Sequence, residues 1–150
     1  MSEDDIQIDI SKLPPRLLLF IGQFILEFSK TDLLISNCIL INTFDTKEEY
    51  FQQINNKVSK EYFKFLLTLN FESKLKILKK KLDVSALKDL GEFRNSLAHG
   101  LIHQKKDNLF LKKTKINGDG HLVDEKYLEE KILALDIETR KIVKVMEDKV

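Results

Sequence analysis

The stretch PPRLLLFIGQFILEF, Pro14 to Phe28, decides the fold class. Leu17, Phe20, Phe24 and Phe28, flanked by Ile21 and Ile25, recur at the spacing that puts side chains on one face of an α-helix. Two prolines at its start suit a first helical turn, whose N–H groups have no intrahelical acceptor, so a missing donor costs nothing there. The pattern predicts one long helix from residue 13 to about 43, with a kink or break near Ser29 to Asp32. Gln23 and Glu27 interrupt the apolar run well short of the ~20 residues that a bilayer-spanning helix needs. No membrane span is expected.

Five Gly and two Pro in 150 residues leave the chain few places to break, which favours helices throughout. Asp45 or Thr46 caps a second helix, because Thr46 followed by Glu49 forms a capping box. Helical spacing continues, with interruptions, through Phe65 and Leu66, and Gln53, Asn55 and Asn56 read as an exposed turn. After Asn70, Phe71 to Leu82 is amphipathic, with Phe71, Leu75, Leu78 and Leu82 inward and Lys74, Lys76, Lys79, Lys80 and Lys81 largely outward. The next helix runs from about Val84 to Ile102. Beyond it the period changes, as Leu109 and Leu111 alternate with Phe110 and Lys112. Asn117-Gly118-Asp119-Gly120 is then a turn signal before His121-Leu122-Val123, so a small β-hairpin is expected. Residues 124 to about 148 return to helical spacing through Tyr127, Leu128, Ile132, Leu135, Ile142 and Val145, behind Asp124 as a cap. The expected fold is all-α, with a small β-hairpin insertion before the last helix. The 43% hydrophobic content can close one core, which makes residues 1–150 a single domain with residues 1–11 as a flexible N-terminal arm.

Projection of residues 84–102 at 3.6 per turn places Ala86, Leu90, Phe93, Leu97 and Leu101 on one core-facing stripe. Asn95 and His99 leave the helix from roughly the opposite face, together with Lys88, Glu92 and, at the edge, His103. Arg94 stands about 140° around the helix from His99 and flanks the core stripe. A single copy of this helix converges poorly on one phosphate. A second copy crossing it at a two-fold axis brings both Arg, Asn and His sets into one cleft, and Ser96, Ala98 and Gly100 are small enough for close approach.

The segment Phe93-Arg94-Asn95-Ser96-Leu97-Ala98-His99-Gly100 resembles the signature of the HEPN ribonuclease superfamily: an Arg, usually followed by a polar residue such as Asn, then a His four to six residues later. Arg94, Asn95, Ala98, His99 and Gly100 fit a common form of that signature in identity and spacing. The order of a long first helix, a short Lys-rich helix, the motif helix and a closing helix is also similar to the family, and implies a HEPN-like bundle of four to five helices. The resemblance further implies a metal-independent endoribonuclease. It would act as a homodimer across the helix from Arg94 to Gly100, in a toxin–antitoxin or defence setting with an antitoxin protein as a further partner. The RNA strand's own 2′-hydroxyl attacks the adjacent phosphorus and leaves a 2′,3′-cyclic phosphate.

The residue types suit that chemistry. The imidazole of His99 accepts or donates a proton near neutrality. The guanidinium of Arg94 stays charged and holds non-bridging phosphate oxygens as negative charge builds, and Asn95, one turn before His99, orients the ring or binds phosphate. Some members carry a Tyr two positions after the His, where a partner attaches nucleotides. That position is Leu101 here, so regulation by that modification at that position is excluded. Other members bind nucleotides or scaffold complexes without cutting, and a non-catalytic interaction or nucleotide-binding module or adaptor is the competing reading. A polar Asn95 and His99 face beside basic helices favours a substrate.

Net charge is only +1, yet residues 57 to 115 hold 15 Lys or Arg against 6 Asp or Glu, a local +9. This basic middle third suits a polyanion such as RNA. Lys112, Lys113 and Lys115 beside the hairpin, with His103, are the expected substrate-binding residues; His103 also reads as a helix-end cation near the last carbonyls. His99 and His103 lie four apart, as in zinc proteases, but Gly100 stands where such a site needs Glu, so neither a metal nor another cofactor is expected. Glu92 reads as a surface ion-pair partner of Lys88. The single cysteine, Cys38, lies among Ile35, Ile39 and Leu40 and reads as a small buried apolar residue. With no basic region before the first apolar run and no possible internal disulfide, a reducing, cytoplasmic setting is expected.

Overall fold

Pro15 opens helix α1 (Pro15–Asn42) in the computed structural model, which describes residues 5–98, 102–105, 108–111 and 121–148. The backbone N–H of Leu18 donates to the Pro14 carbonyl at 3.0 Å, so the prolines sit where their missing donors are harmless. The helix runs unbroken through Ser29 to Asp32, against the predicted kink. Two polar side chains there reach other elements of the fold. Thr31 Oγ1 is 2.8 Å from Thr139 Oγ1, and Asp32 Oδ1 accepts from Lys74 Nζ at 2.8 Å.

The second predicted helix divides into α2 (Lys47–Gln53) and α3 (Lys57–Thr68). Thr46 caps α2 as expected, accepting from the Glu49 N–H at 3.0 Å, while Glu49 reaches back to the Asp45 N–H at 3.3 Å. The exposed turn at Asn56 also caps α3, its Oδ1 accepting from the Ser59 N–H at 2.8 Å. Asn70 does the same for α4 (Phe71–Leu78). On α4 Phe71, Leu75 and Leu78 are buried as predicted, but Lys74 is buried with them. It lies three residues after Phe71 and four before Leu78, on the inward face, and Asp32 supplies the counter-charge.

Helix α5 spans Ser85–Ala98, and Ile102 belongs to a strand rather than to the helix end. Leu90, Phe93 and Leu97 are buried, while Leu87 takes the place predicted for Ala86, which is exposed. Leu101 lies outside the described residues. Strands β1 (Asp5–Gln7), β2 (Ile102–Lys105), β3 (Asn108–Leu111) and β4 (His121–Leu122) form one antiparallel sheet in that order. The pairing of Phe110 with Leu122 and of Leu111 with His121 joins the two segments whose alternation predicts strands; the turn between them lies outside the described residues. The predicted N-terminal arm is instead, over residues 5–12, strand β1 and a 3-10 turn (Ile10–Lys12). Backbone pairing with β2 holds it, as Ile6 faces Gln104 and the Ile8 N–H donates to the Ile102 carbonyl at 2.9 Å. Helix α6 (Glu125–Glu147) begins at its predicted cap, Asp124 Oδ1 accepting from the Tyr127 N–H at 2.8 Å.

The described residues are mainly helical and fall into two compact units, where length suggests one domain. One lies within Met1–Phe28 and Asp89–Ala134, the other within Ser29–Lys88 and Leu135–Val150, so α1, α5 and α6 contribute residues to both. In the first, Leu17, Ile21, Phe24 and Phe28 of α1 are buried, as are Leu90, Phe93, Leu97, Ile102 and Leu128. In the second, Ile35, Cys38, Leu66, Leu75, Leu78, Leu135 and Ile142 are buried. Each such side chain contributes about 1.5–3 kcal/mol on leaving water. Among the described residues no helix is long and apolar enough to cross a membrane.

Candidate functional site

Arg94 is the side chain on α5 whose environment is hardest to explain by packing alone. It follows Leu90 by one turn and precedes Leu97 by three residues, so the helix aims its stem into the buried arc. Its guanidinium carbon lies 4.7 Å from the centroid of the Phe28 ring, and its Nε is buried without a hydrogen-bond partner. Stacking on an aromatic face stabilises a cation by about 0.5–2 kcal/mol, but it leaves the Nε–H without an acceptor among the described residues. A phosphate would meet the outer guanidinium N–H groups, which are not among the buried unbonded atoms, and planar guanidinium is the side chain best shaped to hold it.

The platform beneath Arg94 is built from aromatic rings. Phe28 lies 6.0 Å from Phe24, Phe24 meets Phe93 edge-on at 4.8 Å, and Phe93 meets Tyr127 edge-on at 5.7 Å. Interlocked rings have few alternative rotamers, so the guanidinium rests on a stiff base. Lys131 places its Nζ 5.3 Å from the ring centroids of both Phe93 and Tyr127. A second cation therefore rests on the same run of rings. The sequence pattern places Phe28 on the core stripe and not at the site, and gives no role to Lys131, whose local signal is its position one turn after Tyr127 on α6.

Asn95 is exposed beside Arg94, while Ser96 is buried and donates its hydroxyl to the Glu92 carbonyl at 3.0 Å. Ser96 thus offers no open surface for a second helix, contrary to the sequence expectation, whereas Ala98 is exposed. His99 and Gly100 lie outside the described residues, as do Lys112, Lys113 and Lys115. His103 is half-buried in β2, opposite Gln7 on one side and Phe110 on the other. Its reading as a helix-end cation is corrected: His103 stands in a strand, so the four-residue spacing from His99 is not a helical one. Among the described residues no group of His, Cys, Asp or Glu is placed to hold a metal.

In the other unit, Lys76, Lys79, Lys80 and Lys81 are exposed, and Lys74 is withdrawn from the predicted basic face by its bond to Asp32. Among the described residues none of those four lysines has an ion pair, which leaves their charge available to a polyanion. In comparison with known proteins, no family model matches the chain, and no curated protein or solved structure matches it either.

Proposed function

We propose that this chain is a metal-independent endoribonuclease of HEPN type, a bundle with a hairpin insertion that works as a homodimer across the helix from Arg94 to Gly100. The observation that carries the reading is the half-buried Arg94, its guanidinium seated on Phe28 and its Nε without an acceptor among the described residues. Asn95, exposed beside it, and the motif spacing to His99 complete the set.

In the proposed reaction the 2′-oxygen of the RNA forms a bond to the adjacent phosphorus and loses its proton. The bond from phosphorus to the departing 5′-oxygen breaks, and that oxygen takes up a proton. The products are a 2′,3′-cyclic phosphate and a 5′-hydroxyl. His99 of one or both copies moves the protons. Arg94 holds the non-bridging oxygens as their charge grows, an electrostatic contribution of several kcal/mol in comparable sites, and Asn95 orients the imidazole or the phosphate. A toxin or defence role in the cytoplasm, restrained by an antitoxin, fits an enzyme that destroys RNA.

The test is incubation of wild type and an Arg94→Ala, His99→Ala double variant with total RNA in the presence of a chelator. Cleavage by wild type alone, with cyclic phosphate ends, is the expected result. No cleavage by either protein across several RNA pools would move the assignment to the non-catalytic interaction module.

A further inference from the structure

We propose that the C-terminal end of α1, α3 and the turn after α4 form a binding site for an anionic amphiphile, a single medium-length alkyl chain with a carboxylate-type or phosphate-type head. The site lies within one compact unit and does not involve Arg94, Asn95 or His99, although it shares Lys80 and Lys81 with the exposed basic face of that unit.

Two cavities of about 340 and 140 Å³ share Thr43 and Tyr62 in their walls. Leu40, Phe44 and Val58 line the larger one. The polar side chains beside them are already occupied: the Thr43 hydroxyl donates to the Ile39 carbonyl at 2.9 Å, and the Asn56 side-chain oxygen caps α3. Ser59 and Tyr62 also stand in the wall, yet the surface that faces an occupant is predominantly apolar. Val58 is 77% exposed and Ile77, in the wall of the smaller cavity, is 37% exposed, so apolar surface stands uncovered at both. The larger volume is at the low end of the roughly 300–1,000 Å³ of small-molecule pockets, which suits one chain rather than a two-chain lipid.

The smaller cavity adds charge to its apolar lining. Lys80 and Lys81 stand in its wall, exposed and without an ion pair among the described residues. Asn42 in the same wall turns its amide N–H groups to the Cys38 carbonyl and sulfur, at 2.9 and 3.5 Å. The Cys38 thiol is held neutral because burial pushes its pKa up, so it adds no negative charge. The C-terminal end of α4 carries a partial charge of about −0.5, which the full charges of Lys80 and Lys81 outweigh. An anionic head therefore belongs at the lysines, with its chain passing Thr43 and Tyr62 into the apolar chamber.

The test titrates the intact protein with decanoate, decyl phosphate, decanol and decyltrimethylammonium, followed by calorimetry and by the methyl resonances of Leu40 and Val58. One or both anions are expected to bind saturably and shift both methyls, with decanol at least tenfold weaker and the ammonium compound not binding. A Lys80→Gln, Lys81→Gln variant, altered only at exposed positions, should bind the anions about tenfold more weakly and decanol unchanged. The decanoate and decyl phosphate arms tell a fatty carboxylate from an alkyl phosphate. Equal affinity of the anions for wild type and variant, binding without shifts at Leu40 and Val58, or no saturable binding would overturn the proposal.

Discussion

Arg94 rests its guanidinium on the ring of Phe28, 4.7 Å from the centroid, and leaves Nε buried and unbonded. The ring contact gains about 0.5–2 kcal/mol and the unsatisfied donor costs about 1–3 kcal/mol, so the two nearly cancel. By these two contributions Arg94 adds little net stability to the fold.

Replacement of Arg94 by Met keeps a stem on the aromatic platform and removes both the charge and the orphan donor. Unfolding free energy in urea is expected to stay within about 1 kcal/mol of wild type, while RNA cleavage falls by about 100-fold or more. A variant that unfolds readily yet still cleaves would reverse the assignment.

The Lys74 and Asp32 pair is lopsided, with side-chain exposures of 3% and 30%. Asp32→Ala strands a buried ammonium and should cost about 3–5 kcal/mol. Lys74→Met leaves a carboxylate that reaches water, with an apolar stem in the lysine's place, and should cost under about 1.5 kcal/mol. Urea unfolding of the two variants checks the order, and equal losses would contradict it.

Burial raises the pKa values of the Cys38 thiol and of the Tyr50 and Tyr127 hydroxyls, with Glu130 adding to the effect at Tyr127. A raised folded value means that the unfolded chain gives up its proton first. Stability is then whole below the ordinary thiol value of about 8.5 and the ordinary phenol value of about 10, and is lost as pH rises through them. The urea midpoint should fall from about pH 8 upward, with Cys38→Ala flattening the first part of the decline. A midpoint constant to pH 11 would count against burial as the cause.

Asn70 accepts a hydrogen bond from the Ser73 N–H at 2.8 Å at the start of α4. Asn70→Ala should lower stability by about 1 kcal/mol, and Asn70→Asp should restore most of it. Thermal unfolding of both variants measures the difference; a neutral Asn70→Ala would show that the cap contributes nothing.

Much of the helical layout was legible because its causes are local. Thr46 and Asp124 could be read as caps from their own neighbours, and α4's buried Phe71, Leu75 and Leu78 follow from spacing alone. The same local rules misplaced Lys74, since its burial depends on Asp32 in a different helix. They also carried α5 too far, because Ile102 belongs to β2, which pairs with β3 and with β1 at the distant N-terminal end of the chain. Strand β1 had no periodicity to find in three residues. Of the candidate site, Arg94 and Asn95 were legible from the motif, whereas Phe28 and Lys131 became visible only as neighbours in space.

By itself, then, the sequence determined where most helices begin and which faces they bury, since capping and 3.6-residue periodicity act over one or two turns. Tertiary structure alone decided which charges are withdrawn from solvent and which are left without a partner. Lys74 meets Asp32 and falls silent, while Arg94 lies on the face of Phe28 with its buried Nε unbonded among the described residues. The difference lies in what each cation finds beside it when helices distant in sequence pack together, and burial makes that choice count, because an unmet polar group costs far more there than in water.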